Sequence, residues 1–433
     1  MASCFRMVIG AALLAAGAAA SAQEPDLGVV EEVDRPVAAV LGPEGEAAID
    51  GLNAFSLDFY KASARGDGNL FLSPASVSTA IGLAYRGAAR ATADEIRKVL
   101  HYPLPPAAFA AVNGEVLRTM KIDAPGRTLA VANRLWIQNG LRLSDRYVAD
   151  MESHYSAGLA RADFEGDAEA ARTEINRWVE QQTGDRIRKL IPQGAVSAGT
   201  KAVLVNTIYL KAQWASQFSK AETREGPFKL VDGAIRQVPL MHQRAAFRIT
   251  SCEGAQLASL PFRAGELEML VLLPSSPAGL ARVEKRLGSD TLAACLDKLG
   301  EASARDTILT LPRFRLGWKG VLNPALEELG LKVALSSEAD FSAMKVVDAN
   351  SAETNDHPVT LGTILHQTFL DVDELGSEAA AATAVVGIVV TGTNRKPLPP
   401  VVFRADHPFV LLVRDTRTGA ILFIGRYAGP PPG

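Results

Sequence analysis

The sequence predicts an α+β protein with large antiparallel or mixed sheets, because helical patterns crowd its first half and strand patterns dominate its second half. The two kinds of element do not alternate regularly, as they would in a parallel α/β protein. Of the 433 residues, 48% are hydrophobic and 21% are charged, which provides for a sizeable core and excludes a disordered chain. The formal net charge of −3 argues against a nucleic-acid partner, because general nucleic-acid binders are basic.

The first 22 residues have the features of a secretory signal peptide. Arg6 precedes an apolar stretch over residues 7–20, and Ala20-Ser21-Ala22 forms an A-x-A cleavage site. The stretch is shorter than the roughly 20 apolar residues that span a bilayer, so a membrane anchor is the weaker interpretation. We therefore expect a secreted or periplasmic protein after cleavage near Ala22, with a flexible acidic tail over residues 23–46 and a single domain over residues 47–433.

Helix signals begin at the start of this domain. Amphipathic or capped patterns predict helices over residues 47–64, 74–85, 93–100 and 168–182. Ser73 followed by Pro74 is an N-cap with a first-turn proline, and Thr92 with Glu95 has the spacing of a capping box. The last of these helices ends at Gly184, a residue that favours helix C-termini.

Strand signals begin at residue 128 and dominate the rest of the chain. Runs rich in Val, Leu, Ile and aromatic residues predict strands over residues 128–138, 201–212, 267–273, 307–311, 409–414 and 421–428. Arg417-Thr418-Gly419 has the composition of a hairpin turn between the last two.

Cys4 would leave with the signal peptide, and Cys252 and Cys295 would remain. An oxidising compartment would let these two pair, but they have no spacing motif, which favours two buried free thiols.

Enzyme signatures are missing from the sequence. There is no G-x-S-x-G, H-E-x-x-H or C-x-x-C motif, no phosphate-binding loop and no complete G-x-G-x-x-G. Residues 342–345 match S-x-x-K and residues 417–419 resemble K-T-G, but the S-D-N motif that a penicillin-recognising enzyme needs between them is absent. We expect a protein that is not an enzyme and has no metal or cofactor.

The most informative segment lies near the C-terminus. Residues 374–390 are small and then strand-prone, and residues 391–400 have the composition of an exposed loop. Taken alone, this segment is typical of an alanine-rich helix followed by a linker.

Its context resembles the serpin family. Residues 376–383 are similar to the hinge of inhibitory serpins, and Asp406-His407-Pro408-Phe409 is similar to the family's C-terminal signature. Further motifs match in the family's order at residues 69–78, 132–136, 205–214, 311–314 and 339–342. The resemblance covers about residues 48–429, and several independent motifs make it specific.

The resemblance implies a serpin fold, with a large central mixed β-sheet, two further sheets, about eight to nine helices and an exposed reactive-centre loop over residues 374–400. It implies an inhibitor that a serine protease attacks at one loop carbonyl. The cut loop then inserts into the central sheet and traps the acyl-enzyme. The implied partner is a serine protease, with a papain-like cysteine protease as the second candidate, and the implied state is a monomer without nucleic acid or membrane. A non-inhibitory binding or chaperone protein is the alternative, which a charged or bulky hinge would have indicated.

The resemblance assigns a hinge, whose residues are Glu374, Gly376, Ser377, Glu378, Ala379, Ala380, Ala381, Ala382 and Thr383. Every second residue from Ser377 to Thr383 is small and uncharged, so this face of a strand can enter a core. Glu378 has the opposite parity and can stay in solvent. We expect residues from about 377 to 400 to lie outside the central sheet in the active state.

Counting along the family pattern places the cleaved bond. The residue sixteen positions after Glu374 is Val390, so Val390-Thr391 is the predicted bond and the targets would be elastase-like or subtilisin-like. The stretch up to Pro408 is several residues longer than in typical members, which leaves Arg395 or Lys396 as the alternative for a trypsin-like protease. These two cations are equally typical of a solvated loop.

Two further clusters carry over from the resemblance. The shutter, a polar cluster beneath the opening point of the sheet, would consist of Ser73, Ser76, Asn206 and His366. The breach, where the loop first enters, would contain Trp214, and Arg313 there could pair with Glu374.

Overall fold

Nine α-helices and two β-sheets make up the part of the chain that the computed structural model describes, which is residues 41–124, 127–155, 158–185, 187–345, 361, 364–377 and 398–431. The helices are α1 (Pro43–Ser63), α2 (Pro74–Gly87), α3 (Arg90–Val99), α4 (Pro106–Met120), α5 (Asp145–Tyr155), α6 (Phe164–Gln182), α7 (Leu280–Arg286), α8 (Ser289–Glu301) and α9 (Asn323–Glu328).

The strands are β1 (Leu70–Leu72), β2 (Ile122–Ala124), β3 (Arg127–Gln138), β4 (Gly158–Ala162), β5 (Ala202–Gln213), β6 (Arg224–Lys229), β7 (Ile235–Cys252), β8 (Ala255–Pro261), β9 (Leu267–Pro274), β10 (Arg305–Pro312), β11 (Phe314–Val321), β12 (Leu365–Val372), β13 (Gly376–Ser377), β14 (Val401–Arg404), β15 (Phe409–Asp415) and β16 (Ile421–Tyr427).

The central sheet has seven strands in the order β11-β12-β13-β5-β3-β2, with β4 also paired to β3. The other sheet follows the order β1-β16-β15-β9-β8-β7-β10-β14, with β6 also paired to β7. The 18-residue strand β7 pairs with β6 and β10 through its first part and with β8 through its last residues. The two further sheets expected from the resemblance are therefore joined through this one strand.

Helix α2 connects the two sheets, because it packs against β5 on one side and β16 on the other. Its side chains are buried along almost its whole length, including Val77, Ile81 and Leu83. The start of α2 consequently lies deep in the molecule, under the strands of the central sheet. A separate apolar cluster, with Trp136 from β3 and Ile175 and Trp178 from α6, packs α6 against the central sheet.

The predicted strands are all present, and the predicted helix starting at Pro74 is confirmed, with the Ser73 side chain as its N-cap. Helix α1 begins at Pro43, four residues before the expected start of the domain.

The capping box at Thr92 and Glu95 is wrong, because α3 already begins at Arg90 and Thr92 lies inside it. The carboxylate of Glu95 instead accepts the backbone N–H groups of residues 332–334, at 2.9 to 3.0 Å. A distant segment of the chain therefore takes the acceptor that a local cap would have used.

The preference for free thiols is also wrong, since Cys252 and Cys295 form a disulfide. The bond joins the end of β7 to α8, and both cysteines are buried.

Candidate functional site

A tight turn takes the chain from β12 back into the central sheet as β13. The Asp373 carboxylate accepts the N–H groups of Leu375 and Gly376 at 2.8 and 3.0 Å, which is an Asx turn. The Asp373 N–H also donates to the Gly376 carbonyl at 3.0 Å. This turn sets Gly376 and Ser377 between β12 and β5.

Gly376 occupies a position that only glycine fits. Its φ of +146° is a conformation that L-residues with a side chain rarely adopt. A Cβ here would fall on the carbonyl oxygen of Ala212 and 2.6 Å from the Cα of Gln213. The backbone of β13 therefore approaches β5 too closely to allow a larger residue.

Ser377 is paired on both sides, with Val372 of β12 and with Ala212 of β5, and its side chain is buried. The expected start of the exposed loop, at residue 374 or about 377, is therefore wrong. Glu374 is buried in the turn and Ser377 already lies inside the sheet, held there by the Asp373 turn. The remaining hinge residues Glu378 to Thr383 lie outside the described residues. So do both candidate bonds, at Val390-Thr391 and at Arg395 or Lys396.

Glu374 is a buried carboxylate in the turn, with 3% of its side chain exposed. It accepts the Thr223 hydroxyl at 2.8 Å, and Arg313 Nη1 lies 3.7 Å from the same oxygen. The backbone carbonyl of Glu374 accepts the Phe218 N–H at 2.9 Å. The expected proximity of Arg313 and Glu374 is thus observed, between a half-exposed arginine side chain and a buried carboxylate.

Trp214 closes the turn from the side of β5. Its Nε1–H donates to the Asp373 carbonyl at 2.9 Å, and its backbone N–H donates to the Leu375 carbonyl at 2.9 Å. Its ring stacks on Phe262 with centroids 4.6 Å apart, at an angle of 6°. Trp214 therefore fixes the turn through both its side chain and its backbone.

The predicted shutter residues Ser73, Ser76 and His366 meet beneath the centre of the sheet. The Ser73 N–H donates to His366 Nε2 at 3.1 Å, while the Ser73 hydroxyl donates to the Leu422 carbonyl at 2.8 Å and accepts the Ser76 N–H at 3.3 Å. Asn206 lies on β5, opposite Asn133 of β3.

The hydrogen bond from Ser73 assigns the state of the imidazole. Nε2 of His366 accepts this bond, so it carries no proton, and the ring is neutral with its proton on Nδ1. Burial lowers the pKa of His366 from 6.5 to about 4, because the charged imidazolium would lose its hydration. Neutral histidine is thus the form that fits this cluster.

Two residues that hold the turn in place were missed in the sequence, Asp373 and Thr223. The Asp-x-x-Gly spacing of residues 373–376 is a turn signature that could have indicated the first. Thr223 lies 151 positions from Glu374, and no local pattern marks such a contact.

No group of three or more His, Cys, Asp or Glu side chains that could hold a metal ion occurs within the described ranges. In the same ranges, no helix is long and apolar enough to cross a membrane.

Comparisons with known proteins agree with this architecture. The family model described as serpin (serine protease inhibitor) matches residues 50–430. A serpin-like protein of Thermococcus kodakarensis is 33% identical over 388 residues, covering 89% of this chain and 86% of the relative. Antithrombin-III of Mus musculus is 35% identical, covering 87% and 80%. Leukocyte elastase inhibitor A of Rattus norvegicus is 33% identical, covering 84% and 93%.

Solved structures show the same fold. A cleaved form of Serpin 42Da has a TM-score of 0.77 at 27% identity, covering 89% of this chain and 99% of that chain. Human thyroxine-binding globulin, in a structure with its hormone, has a TM-score of 0.77 at 26% identity, covering 90% and 100%. Given the family-model match over most of the chain and relatives above 30% identity across more than two thirds of it, this chain belongs to the serpin family.

Proposed function

We propose that this protein inhibits serine proteases as a suicide substrate, and that it is not itself an enzyme. The protease forms an acyl-enzyme with the loop, and insertion of the cut loop beside β13 carries the protease to the far end of the sheet before the ester is hydrolysed. The observation that carries the proposal is β13 itself. It is a two-residue middle strand between β12 and β5, and it continues directly into the predicted loop.

The register of β13 defines where an inserted strand would go. Both pairings are antiparallel, so each residue after Ser377 moves one step back from Ala212 along β5 and from Val372 along β12. Six steps on, Thr383 would lie opposite both Asn206 and His366. A small polar side chain would thus arrive at the polar shutter, while Ala379 would arrive between Leu210 and Leu370, which are both buried.

We call the position between β5 and β12 that an inserted strand would occupy the slot. The length of the slot supports Val390 as the cleaved residue. β5 begins at Ala202, which in this register is the partner of residue 387. A protease bound to Val390 would be three residues past the end of the slot, about 10 Å at strand spacing. A protease bound to Arg395 would be eight residues past it, about 26 Å away. With the shorter segment between slot and bond, the protease would be pressed against the body of the inhibitor. With the longer segment, the protease would not be forced into contact with it.

We further propose secretion or periplasmic export after removal of residues 1–22. The disulfide between Cys252 and Cys295 supports this, because structural disulfides persist mainly in oxidising compartments. The proposed state is a monomer. The proposed targets are elastase-like or subtilisin-like serine proteases, with papain-like cysteine proteases as the second candidates.

A non-inhibitory binding protein remains the alternative, since the fold is shared with thyroxine-binding globulin. The hinge argues for inhibition instead. Every second residue from Ser377 to Thr383 is small and uncharged, so nothing on that face would resist burial.

The test is incubation with an elastase, a subtilisin and a trypsin, read by denaturing gels and by mass spectrometry of the released C-terminal peptide. We expect a covalent complex with the elastase or subtilisin and a peptide that begins at Thr391. A complex whose peptide begins at Lys396 or Pro397 would overturn the bond assignment. Complete cleavage by all three enzymes without any complex would favour the non-inhibitory alternative.

A further inference from the structure

An exposed apolar patch lies at the edge of the larger sheet, where β14 pairs with β10. Ile308 of β10 and Val402 of β14 are cross-strand partners, 41% and 57% exposed. Leu398, four residues before Val402, is 72% exposed. The opposite face of the same strands is fully buried through Leu309 and Phe403. We call Ile308, Val402 and Leu398 the sheet-edge patch.

The patch is held in place by its surroundings. Arg305 Nη2 donates to the Pro399 carbonyl at 3.2 Å, which ties the segment between Leu398 and Val402 to β10. Arg244, the neighbour of Ile308 on β7, donates twice to the Asp306 carboxylate from Nε and Nη2, at 3.0 and 2.7 Å. The cation beside Ile308 is thus paired with a carboxylate, and Arg404, two residues after Val402 on β14, is paired with Asp406 at 2.8 Å. Because both cations are paired, apolar contact is the main interaction that this surface offers.

The position of the patch relative to the predicted bond identifies its occupant. Leu398 lies eight residues after Val390, and eight extended residues span at most about 28 Å. A protease domain of about 250 residues has a radius of gyration near 18 Å, hence a body roughly 45 Å across. A protease seated on this bond would therefore cover surface within reach of the patch. Clustered apolar exposure is a mark of such interaction sites.

We propose that the sheet-edge patch is a docking surface for the target serine protease. It would contact apolar side chains on the rim of the protease, on the side that binds the residues after the cut. This inference rests on the proposed inhibitory function and adds a recognition surface outside the loop.

The mechanism predicts when these contacts act. After the cut, the protease moves with the residues up to Val390, whereas the patch stays with β10 and β14 in the body of the inhibitor. The contacts can therefore form only in the encounter complex, and they must break before insertion. They should raise the rate of association without raising the fraction of protease that is trapped.

The test is the double variant Ile308→Ser with Val402→Ser, with Leu398→Ser as a second variant outside any strand. The matched control is Ile235→Ser, which is 59% exposed at the start of β7. This control lies nine residues from Arg244 along the strand, about 30 Å away. Association rate constants come from competition with a chromogenic substrate, the trapped fraction from denaturing gels, and the oligomeric state from sedimentation.

We expect the association rate constant to fall about tenfold in the double variant and less in Leu398→Ser, with the trapped fraction unchanged or higher. The control should leave both values unchanged. An unchanged association rate constant with normal complex formation would refute the docking role but not the proposed function. An equal fall of the association rate constant in the control would do the same. A wild type that dimerises while the double variant is monomeric would assign the patch to a contact between copies. A wild type that traps no protease would refute the proposed function and the docking role with it.

Discussion

Ala379 is a residue at which the proposed insertion should be sensitive to side-chain charge. Ala379 is two residues after Ser377, so the register of β13 would place it between Leu210 and Leu370, which are both buried. Glu378, one step earlier, has the opposite parity and would face solvent. The two neighbouring positions therefore provide a test of insertion and its control in the same loop.

Ala379→Arg should convert the protein from an inhibitor to a substrate. An arginine carried to that position would lose its hydration without a partner, and it cannot lose its proton, so insertion would stall while the bond is still cut. The ratio of covalent complex to cleaved product on a denaturing gel should fall at least tenfold. Glu378→Arg should keep the wild-type ratio. Equal ratios for all three proteins would show that the loop does not act by insertion.

His366 makes stability depend on pH. Its pKa is about 4 in the folded protein and 6.5 in the unfolded chain, so the unfolded state binds the proton more tightly. The resulting stability is fully present above pH 6.5, and it is lost as the pH falls from 6.5 towards 4. The loss at the lower end should be about 3 kcal/mol.

The measurement is the free energy of unfolding by urea between pH 7.5 and 4, for the wild type and for His366→Gln. The difference between the two curves isolates this histidine from other titrating groups, such as His242. Parallel curves across the whole range would mean that His366 is not buried in its neutral form.

Among the elements, α3 shows how a helix can organise a distant segment. Glu95, near the middle of α3, binds three successive backbone N–H groups of residues 332–334, just after α9. Three donors on one carboxylate form a strong, charge-assisted set of hydrogen bonds. The segment that leads towards β12 is thereby fixed to the helical layer.

Glu95→Gln should destabilise the protein by about 1–3 kcal/mol, because an uncharged amide keeps only one acceptor for three donors. The loss would appear as a lower denaturation midpoint in urea. Asp94→Asn is the control on the same helix, since Asp94 is exposed and should change the free energy of unfolding by less than about 0.5 kcal/mol. Equal effects of the two variants would contradict the special role of Glu95.

On the scale of the whole molecule, the middle strand of the central sheet is much shorter than the strands on either side of it. β13 contributes two residues, while β5 has twelve and β12 has eight. Filling this slot would add about ten net hydrogen bonds, each worth about 1 kcal/mol. The cut protein should therefore be more stable than the intact one.

Cutting the loop with a protease that is not trapped should raise the melting temperature by on the order of 10 °C, and the C-terminal peptide should stay bound until the protein unfolds. Differential scanning calorimetry of intact and cut protein measures this directly. Cut Ala379→Arg serves as the control, and its melting temperature should stay near that of the intact form. A cut wild type that melts below the intact protein would exclude strand insertion.

Local features were predictable from the sequence and distant contacts were not. Ser73 followed by Pro74 identified the start of α2, because a cap and its helix are adjacent in the chain. The capping-box prediction for Glu95 was wrong for the opposite reason, since the partners of Glu95 lie 237 to 239 positions away. The Thr223 contact of Glu374 and the pairing of Cys252 with Cys295 were not predicted, because these partners are also distant in the chain. The shutter and breach residues were predicted from the family resemblance.

The two residues of β13 also bear on the timing of inhibition. Growth of an ordered segment is slowest at its first step, when backbone freedom is lost before many hydrogen bonds form. Ser377 already has partners on both flanking strands and Gly376 has one on β5, so in the proposed mechanism this first step is complete before any protease arrives. In the proposed mechanism, the cut loop then only has to extend an existing strand, one residue at a time, in competition with hydrolysis of the acyl-enzyme.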